Sequence, residues 1–234
     1  PPPPAPASAT GSATAAASSA ASASAVDSVV PDETAGPYPG DGSNGKNVLD
    51  DSGVVRSDIT TSIGSSEKVA GVPMTINLTV TDSASGYAAM AGAAVYVWHC
   101  DAAGNYSMYS QGATDQTWLR GVTETNANGT ATFTSVFPGC YAGRWPHIHF
   151  EVYKSTSDAT SSGQIVKTSQ IALPQAICET VYQDTSTYPN STRNLGQLSL
   201  KTDNVFGNDG GIHQLATVTG DASSGYVVNL TIGV

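Results

Sequence analysis

Pro138-Gly139-Cys140-Tyr141-Ala142-Gly143-Arg144-Trp145-Pro146-His147-Ile148-His149-Phe150-Glu151-Val152 is the stretch from which the rest of the chain is read. Past Pro146 it alternates. Ile148, Phe150 and Val152 fall on one face of an extended strand, towards a core, and His147 and His149 on the other, about 7 Å apart at the backbone. Two imidazoles at this spacing on a rigid strand can converge on one metal ion. Alone the pair is weak, because His-X-His also occurs for structural reasons. Tyr141 and Arg144, in the connection that enters the strand, make it more specific.

Outward from this strand the same half-buried pattern recurs. It predicts strands at Met74–Thr81, Ala94–His99, Gly129–Phe133, His147–Tyr153, Lys167–Leu173, Gln197–Leu200, Gln214–Gly220 and Tyr226–Ile232. Asp82-Ser-Ala-Ser-Gly86, Asn126-Ala-Asn-Gly129 and Asp221-Ala-Ser-Ser-Gly225 are turn sequences between them. Only Pro174–Val181, with proline near its start, reads as a short helix. The expected fold is all-β, a sandwich of mixed or antiparallel sheets with long loops and a short helix. The domain is expected over residues 33–234. Residues 1–32, rich in Pro, Ala and Ser and almost free of charge, read as a disordered linker of the kind found in exported proteins. With no charged or apolar leader in that stretch, the chain is read as mature secreted protein.

Composition removes several functional classes. With 19 acidic against 9 basic residues, a net charge of −10 and a pI near 4.5, the chain lacks the cationic surplus that nucleic acid requires. No apolar run reaches the ~18–20 residues of a membrane span. The 24 glycines and 13 prolines weigh against a helical bundle. Three cysteines, Cys100, Cys140 and Cys178, have no Cys-X-X-Cys spacing and permit one disulfide. Antiparallel pairing of the 147–153 and 167–173 strands would bring Cys140 and Cys178 to one end of the hairpin, and that bridge is expected.

A second segment, Ala94-Val-Tyr-Val-Trp-His-Cys-Asp-Ala-Ala-Gly-Asn-Tyr106-Ser, ends a strand in a turn that presents Tyr106. Trp118-Leu-Arg-Gly121 and Thr125-Asn-Ala-Asn-Gly129 follow. Together with Glu33-Thr-Ala-Gly-Pro-Tyr38, Val55-Arg-Ser-Asp-Ile59 and Thr168-Ser-Gln170, these motifs resemble, in their order along residues 33–173, the intradiol ring-cleavage dioxygenases. That is the non-haem iron family of catechol 1,2-dioxygenase and protocatechuate 3,4-dioxygenase.

The resemblance implies four ligands, Tyr106, Tyr141, His147 and His149, and Fe(III) as cofactor. Two hard phenolate oxygens favour the ferric ion, whereas zinc takes Cys or a third His and calcium takes carboxylates. It implies cleavage of a small catechol by dioxygen between its hydroxylated carbons to a cis,cis-muconate. Tyr141 then takes up a substrate proton, Arg144 stabilises charge developing on the ring, and Gln170 holds that arginine. Tyr38 and Trp145 are expected to line the pocket, with Arg120 in support. His99 and His213 match no ligand position, and are read as a hydrogen-bonded strand-end residue and a loop residue. The connection from Tyr141 to His147, five residues long, is shorter than in bacterial catabolic members, so an open site on a secreted, monomeric or weakly oligomeric protein is expected, acting on lignin-derived catechols. A non-catalytic extracellular binding module is the alternative, and a copper protein using the two histidines a third.

Overall fold

The computed structural model describes residues 26–234. Nine strands are arranged as two sheets: β1 (Pro73–Asp82), β2 (Ala88–Ala89), β3 (Ala94–Trp98), β4 (Arg120–Glu124), β5 (Thr130–Val136), β6 (His147–Tyr153), β7 (Ile165–Ala172), β8 (Thr217–Asp221) and β9 (Gly225–Gly233). Three short helices lie outside them, α1 (Thr156–Thr160), α2 (Gln175–Val181) and α3 (Ser191–Leu195). One sheet runs β2-β1-β9-β8 with β5 also paired to β1; its β1–β9 pair is parallel. The other, β4-β3-β6-β7, is antiparallel throughout. The all-β sandwich expected from the sequence is the fold observed.

The period-two pattern explains the layers. Met74, Ile76, Leu78 and Val80 of β1 point inward, alternating with Thr75, Asn77 and Thr79, to meet Val95 and Val97 of β3 and Ile148, Phe150 and Val152 of β6. The turn sequences act as their side chains require. The Asn126 carboxamide accepts from the Asn128 and Thr130 N–H groups, and Asp221 does the same for Ser223 and Ser224.

The outer face of the four-stranded sheet is also buried. Residues from Ala35 to Ile63 cover it, so that Tyr96, Trp98, Tyr106, Tyr153 and Val122 form a second apolar cluster with Val48, Leu49 and Val54. Every residue of β6 is therefore buried, although only alternate ones face the inter-sheet core. The side chains of the candidate site, His147 and His149 among them, emerge on this covered outer face.

Four expectations are corrected. Gln197–Leu200 is not a strand: its backbone turns, held by the Gln197 N–H to the Asn194 carbonyl and the Leu198 N–H to that of Leu195, while Leu198 and Leu200 pack on the core. The chain packs on the domain before residue 33. Residues 1–25 of the expected linker lie outside the described residues, but Val30 is buried, its N–H donates to the Gly233 carbonyl, and the Pro31 carbonyl accepts from Ser169. The Cys140–Cys178 bridge is absent, and all three cysteines are buried free thiols. Cys140 Sγ is turned towards the Arg144 carbonyl inside its own loop (3.6 Å), whereas Cys178 is enclosed on α2. The fourth correction concerns Trp145, described with the site.

Candidate metal centre

β6 is central in its sheet, between β3 and β7, so backbone ladders on both sides fix His147 and His149. The imidazoles meet at Nε2, 3.1 Å apart. His147 Nδ1 faces the Trp145 carbonyl at 2.5 Å and must carry the proton there, which leaves the Nε2 lone pair aimed at the centre. His149 lies flat against the Trp98 indole, with centroids 4.8 Å apart and planes 7° apart. Its Nδ1 is buried without a partner. Burial, and for His149 also the neighbouring His147, keeps both rings neutral, His147 down to about 3 and His149 well below the ordinary imidazole value. Neutral imidazole is the ligating form.

Two loops bring the phenols. Tyr106 follows a turn in which Asp101 accepts from the Ala103 and Asn105 N–H groups, and Tyr141 follows Pro138-Gly139-Cys140. The loops touch backbone to backbone: a Cβ on Gly139 would stand 2.5 Å from the Ala102 carbonyl oxygen. Gly104, at φ +87°, packs against the Tyr141 Cβ and adopts the left-handed conformation that glycine accommodates without strain. From behind, α3 grips the second loop, with Ser191 accepting from the Cys140 N–H and Asn194 donating to its carbonyl.

As a result Tyr106 Oη lies 3.1 Å from Tyr141 Oη and 3.3 Å from His147 Nε2, and Tyr141 Oη lies 3.2 Å from that nitrogen. Donors bonded at ~2.0–2.1 Å to one tetrahedral ion stand about 3.3 Å apart. Two phenol oxygens and two imidazole nitrogens at this spacing, with one lone pair fixed inward, fit a transition-metal ion. Among the described residues no group of three His, Cys, Asp or Glu side chains converges; half of this donor set is phenolic. Burial pushes the Tyr106 phenol well above its ordinary range and Tyr141 up to about 12, so both stay protonated until a cation displaces the proton.

Arg144 borders the donors, its Nη1 3.4 Å from His147 Nε2. Its Nη2 donates to Gln170 Oε1 at 2.6 Å, as expected, since Gln170 sits opposite His149 in the β6–β7 register. Asp203, which the sequence reading missed, receives Nε at 3.0 Å. Phe206 lies beneath the guanidinium, 5.8 Å to the ring centroid. Neither had a local signal, because Asp203 is one of 19 acidic residues in a stretch with no periodicity. Tyr38 leans on Tyr106, with centroids 4.9 Å apart, and is exposed. Trp145 does not line the pocket. It is 1% exposed and its indole N–H donates to the Leu173 carbonyl, because the Pro146 lead-in turns the ring under the sheet.

Arg120 is buried and hydrogen-bonded to Ser107 and Tyr96, a supporting position. His99 bonds the Cys100 carbonyl and Ser135, and His213 bonds Ser28, both away from the donors. A surface cavity of about 490 Å³ between Lys68, Asp101, Gln116 and Trp118 lies behind the Tyr106 turn and includes none of the four donors.

Residues 51–204 match a family model described as Dioxygenase. No curated protein matches the chain in sequence. Among solved structures, the chain is similar to an intradiol ring-cleavage dioxygenase from Tetranychus urticae, with 24% identity, TM-score 0.69, and coverage of 88% of this chain and 94% of that one. It is also similar to the dioxygenase domain of a dioxygenase–carbohydrate-binding protein fusion from Streptomyces sp. SirexAA-E, with 20% identity, TM-score 0.56, and coverage of 88% and 98%. To catechol 1,2-dioxygenase from Acinetobacter radioresistens the likeness is 18% in identity with TM-score 0.51, covering 89% of this chain and 63% of that one.

Proposed function

From the intradiol ring-cleavage dioxygenases, to which this chain belongs, we propose a ferric enzyme that uses dioxygen to open small catechols to cis,cis-muconates. The chain is an oxidoreductase of the intradiol catechol-cleaving type, so the binding-module alternative falls away. The observation that carries the cofactor is the gathering of the Tyr106 and Tyr141 phenol oxygens and His149 Nε2 within 3.1–3.3 Å of His147 Nε2. Two phenols and no Cys-plus-Met set argue against copper.

Held by Tyr106, Tyr141, His147 and His149, Fe(III) would supply a Lewis acid that favours loss of the catechol protons, and it is the deprotonated ring that is electron-rich towards dioxygen. The residues divide the remaining work by exposure. Tyr106 is 2% exposed and fixed between two loops, the permanent anchor. Tyr141 is half-buried beside the exposed Ala142 and Gly143, so its Oη can turn aside and accept a proton from an incoming catechol hydroxyl. Arg144 presents Nη1 where negative charge develops on the ring, a preorganised donor that does not reorganise during reaction. The five-residue link from Tyr141 to His147 leaves the mouth open to substituted rings. An exported enzyme acting on plant-derived catechols accords with this opening and with the Pro/Ala/Ser-rich stretch.

The test is ferric reconstitution followed by oxygen uptake on catechol, protocatechuate, hydroxyquinol and larger lignin-type catechols. Phenolate-to-iron charge transfer should colour the protein red to purple, and the band should shift with catechol. A colourless preparation, inert on every substrate after reconstitution, would sink the proposal.

A further inference from the structure

We infer that Asp203 is the positioning residue that aims Arg144 at the substrate, an inference that rests on the role given to Arg144 above. The Asp203 carboxylate is entirely enclosed, and its acceptor sites are all used. Oδ1 receives Arg144 Nε at 3.0 Å and the Trp145 N–H at 2.8 Å, and Oδ2 receives the Val205 and Phe206 N–H groups at 3.0 and 3.1 Å, with Arg144 Nη2 at 3.4 Å. One carboxylate thus holds the arginine at its tip and, through the adjacent peptide, at its root.

This double hold removes most of the rotamer freedom of a long side chain. It also allots the guanidinium donors. Nε and Nη2 are taken by Asp203 and Gln170, which leaves Nη1 as the edge that faces the metal donors, 3.4 Å from His147 Nε2. Gln170 meets the guanidinium through one oxygen only. The planar fork of Asp203 fixes the plane in which Nη1 points. The same short stretch carries Phe206 beneath the guanidinium, so the 203–206 segment supplies both the edge and the floor of the arginine site.

Asp203→Asn is isosteric, keeps one acceptor oxygen for either the Trp145 N–H or the Val205 and Phe206 N–H groups, and loses the charged fork, which makes it the informative variant. After ferric reconstitution, Asp203→Asn should retain iron and its charge-transfer band, and bind catechol anaerobically with affinity within about threefold of the parent. Its kcat should fall tenfold or more with KM nearly unchanged. Asp203→Glu, which restores the charge on a longer arm, should recover part of that loss, and guards against misfolding of the first variant. Combined with Arg144→Ala, Asp203→Asn should add no further loss of kcat, because both act through one group. Full turnover in coloured Asp203→Asn, or an additive loss in the double variant, overturns the inference. A parent protein that cannot be loaded with iron overturns instead the reading on which it rests.

Discussion

At the residue scale, the proposed roles of Tyr106 and Arg144 separate holding the metal from using it. Tyr106 is enclosed and its hydroxyl meets the Tyr141 hydroxyl and His147 Nε2, so on the proposed reading Tyr106→Phe removes a ligand that no neighbour can replace. The expected outcome is loss of most bound iron and of the visible band, measured on equal protein after reconstitution; an unchanged spectrum would remove Tyr106 from the ligand set. Arg144 touches the donors only through Nη1. Arg144→Ala should keep iron and colour and lower kcat by 10²-fold or more, the range of a lost preorganised donor. Parent-like turnover would refute its role. These residues were legible because tyrosines, histidines, arginine and glutamine occur in a fixed order. Trp145 was misread because sequence adjacency to a site does not say which side of a proline-led strand entry an indole takes. Asp203 was invisible because its partners are 58 and 59 residues away.

At the scale of elements, strands with clean alternation were found and the rest were missed for physical reasons. β4 contains Gly121 and two charged residues, Arg120 and Glu124, in five positions; it is a strand because β3 pairs with it, not because its pattern demands one. Gln-Leu-Ser-Leu at 197–200 alternates well but sits between the end of α3 and a turn. α3, only five residues long, was too short for any periodic signal, yet it fixes the loop that bears Tyr141. Removing the Ser191 hydroxyl leaves the buried Cys140 N–H without an acceptor. Ser191→Ala should therefore cost about 1–3 kcal/mol in denaturant unfolding. A change below about 0.3 kcal/mol would mean that α3 is not a clamp.

At the scale of the molecule, His99 ties the two sheets. It follows β3 and bonds Ser135 of β5 across the sandwich. Burial depresses its imidazole to about 4, so below about pH 6.5 the unfolded chain takes up a proton that the folded chain refuses. Stability from this group is whole above pH 6.5 and is lost as pH falls towards 4, on the order of 3 kcal/mol by the usual value per pKa unit. His147 and His149, in metal-free protein, titrate in the same sense. His99→Gln should lower the number of protons linked to unfolding between pH 6.5 and 4 by about one, measured by melting across that range. An unchanged slope would contradict it.

Glu151 acts at the other end of the range. It is buried on the outer face with Tyr153 donating to Oε2, and desolvation, with Asp41 beside it, raises it to about 9. Its contribution is whole below about pH 4.5 and is lost progressively as pH rises from there to about 9, so Glu151→Gln should flatten the fall in stability across that window.

β6 gives one set of side chains to the core and the two imidazoles of the candidate site to the other face, and both sets are fixed by the same pleat. Inserting or deleting one residue within His147–Tyr153 would exchange the two sets at a stroke, turning imidazoles into the hydrocarbon interior and Ile148 and Phe150 towards the ion. Length changes are therefore tolerated in the connecting loops rather than within the strand. Among those, the Tyr141–His147 link and the 33–63 cover can change the surroundings of the candidate site without disturbing the strand that carries His147 and His149.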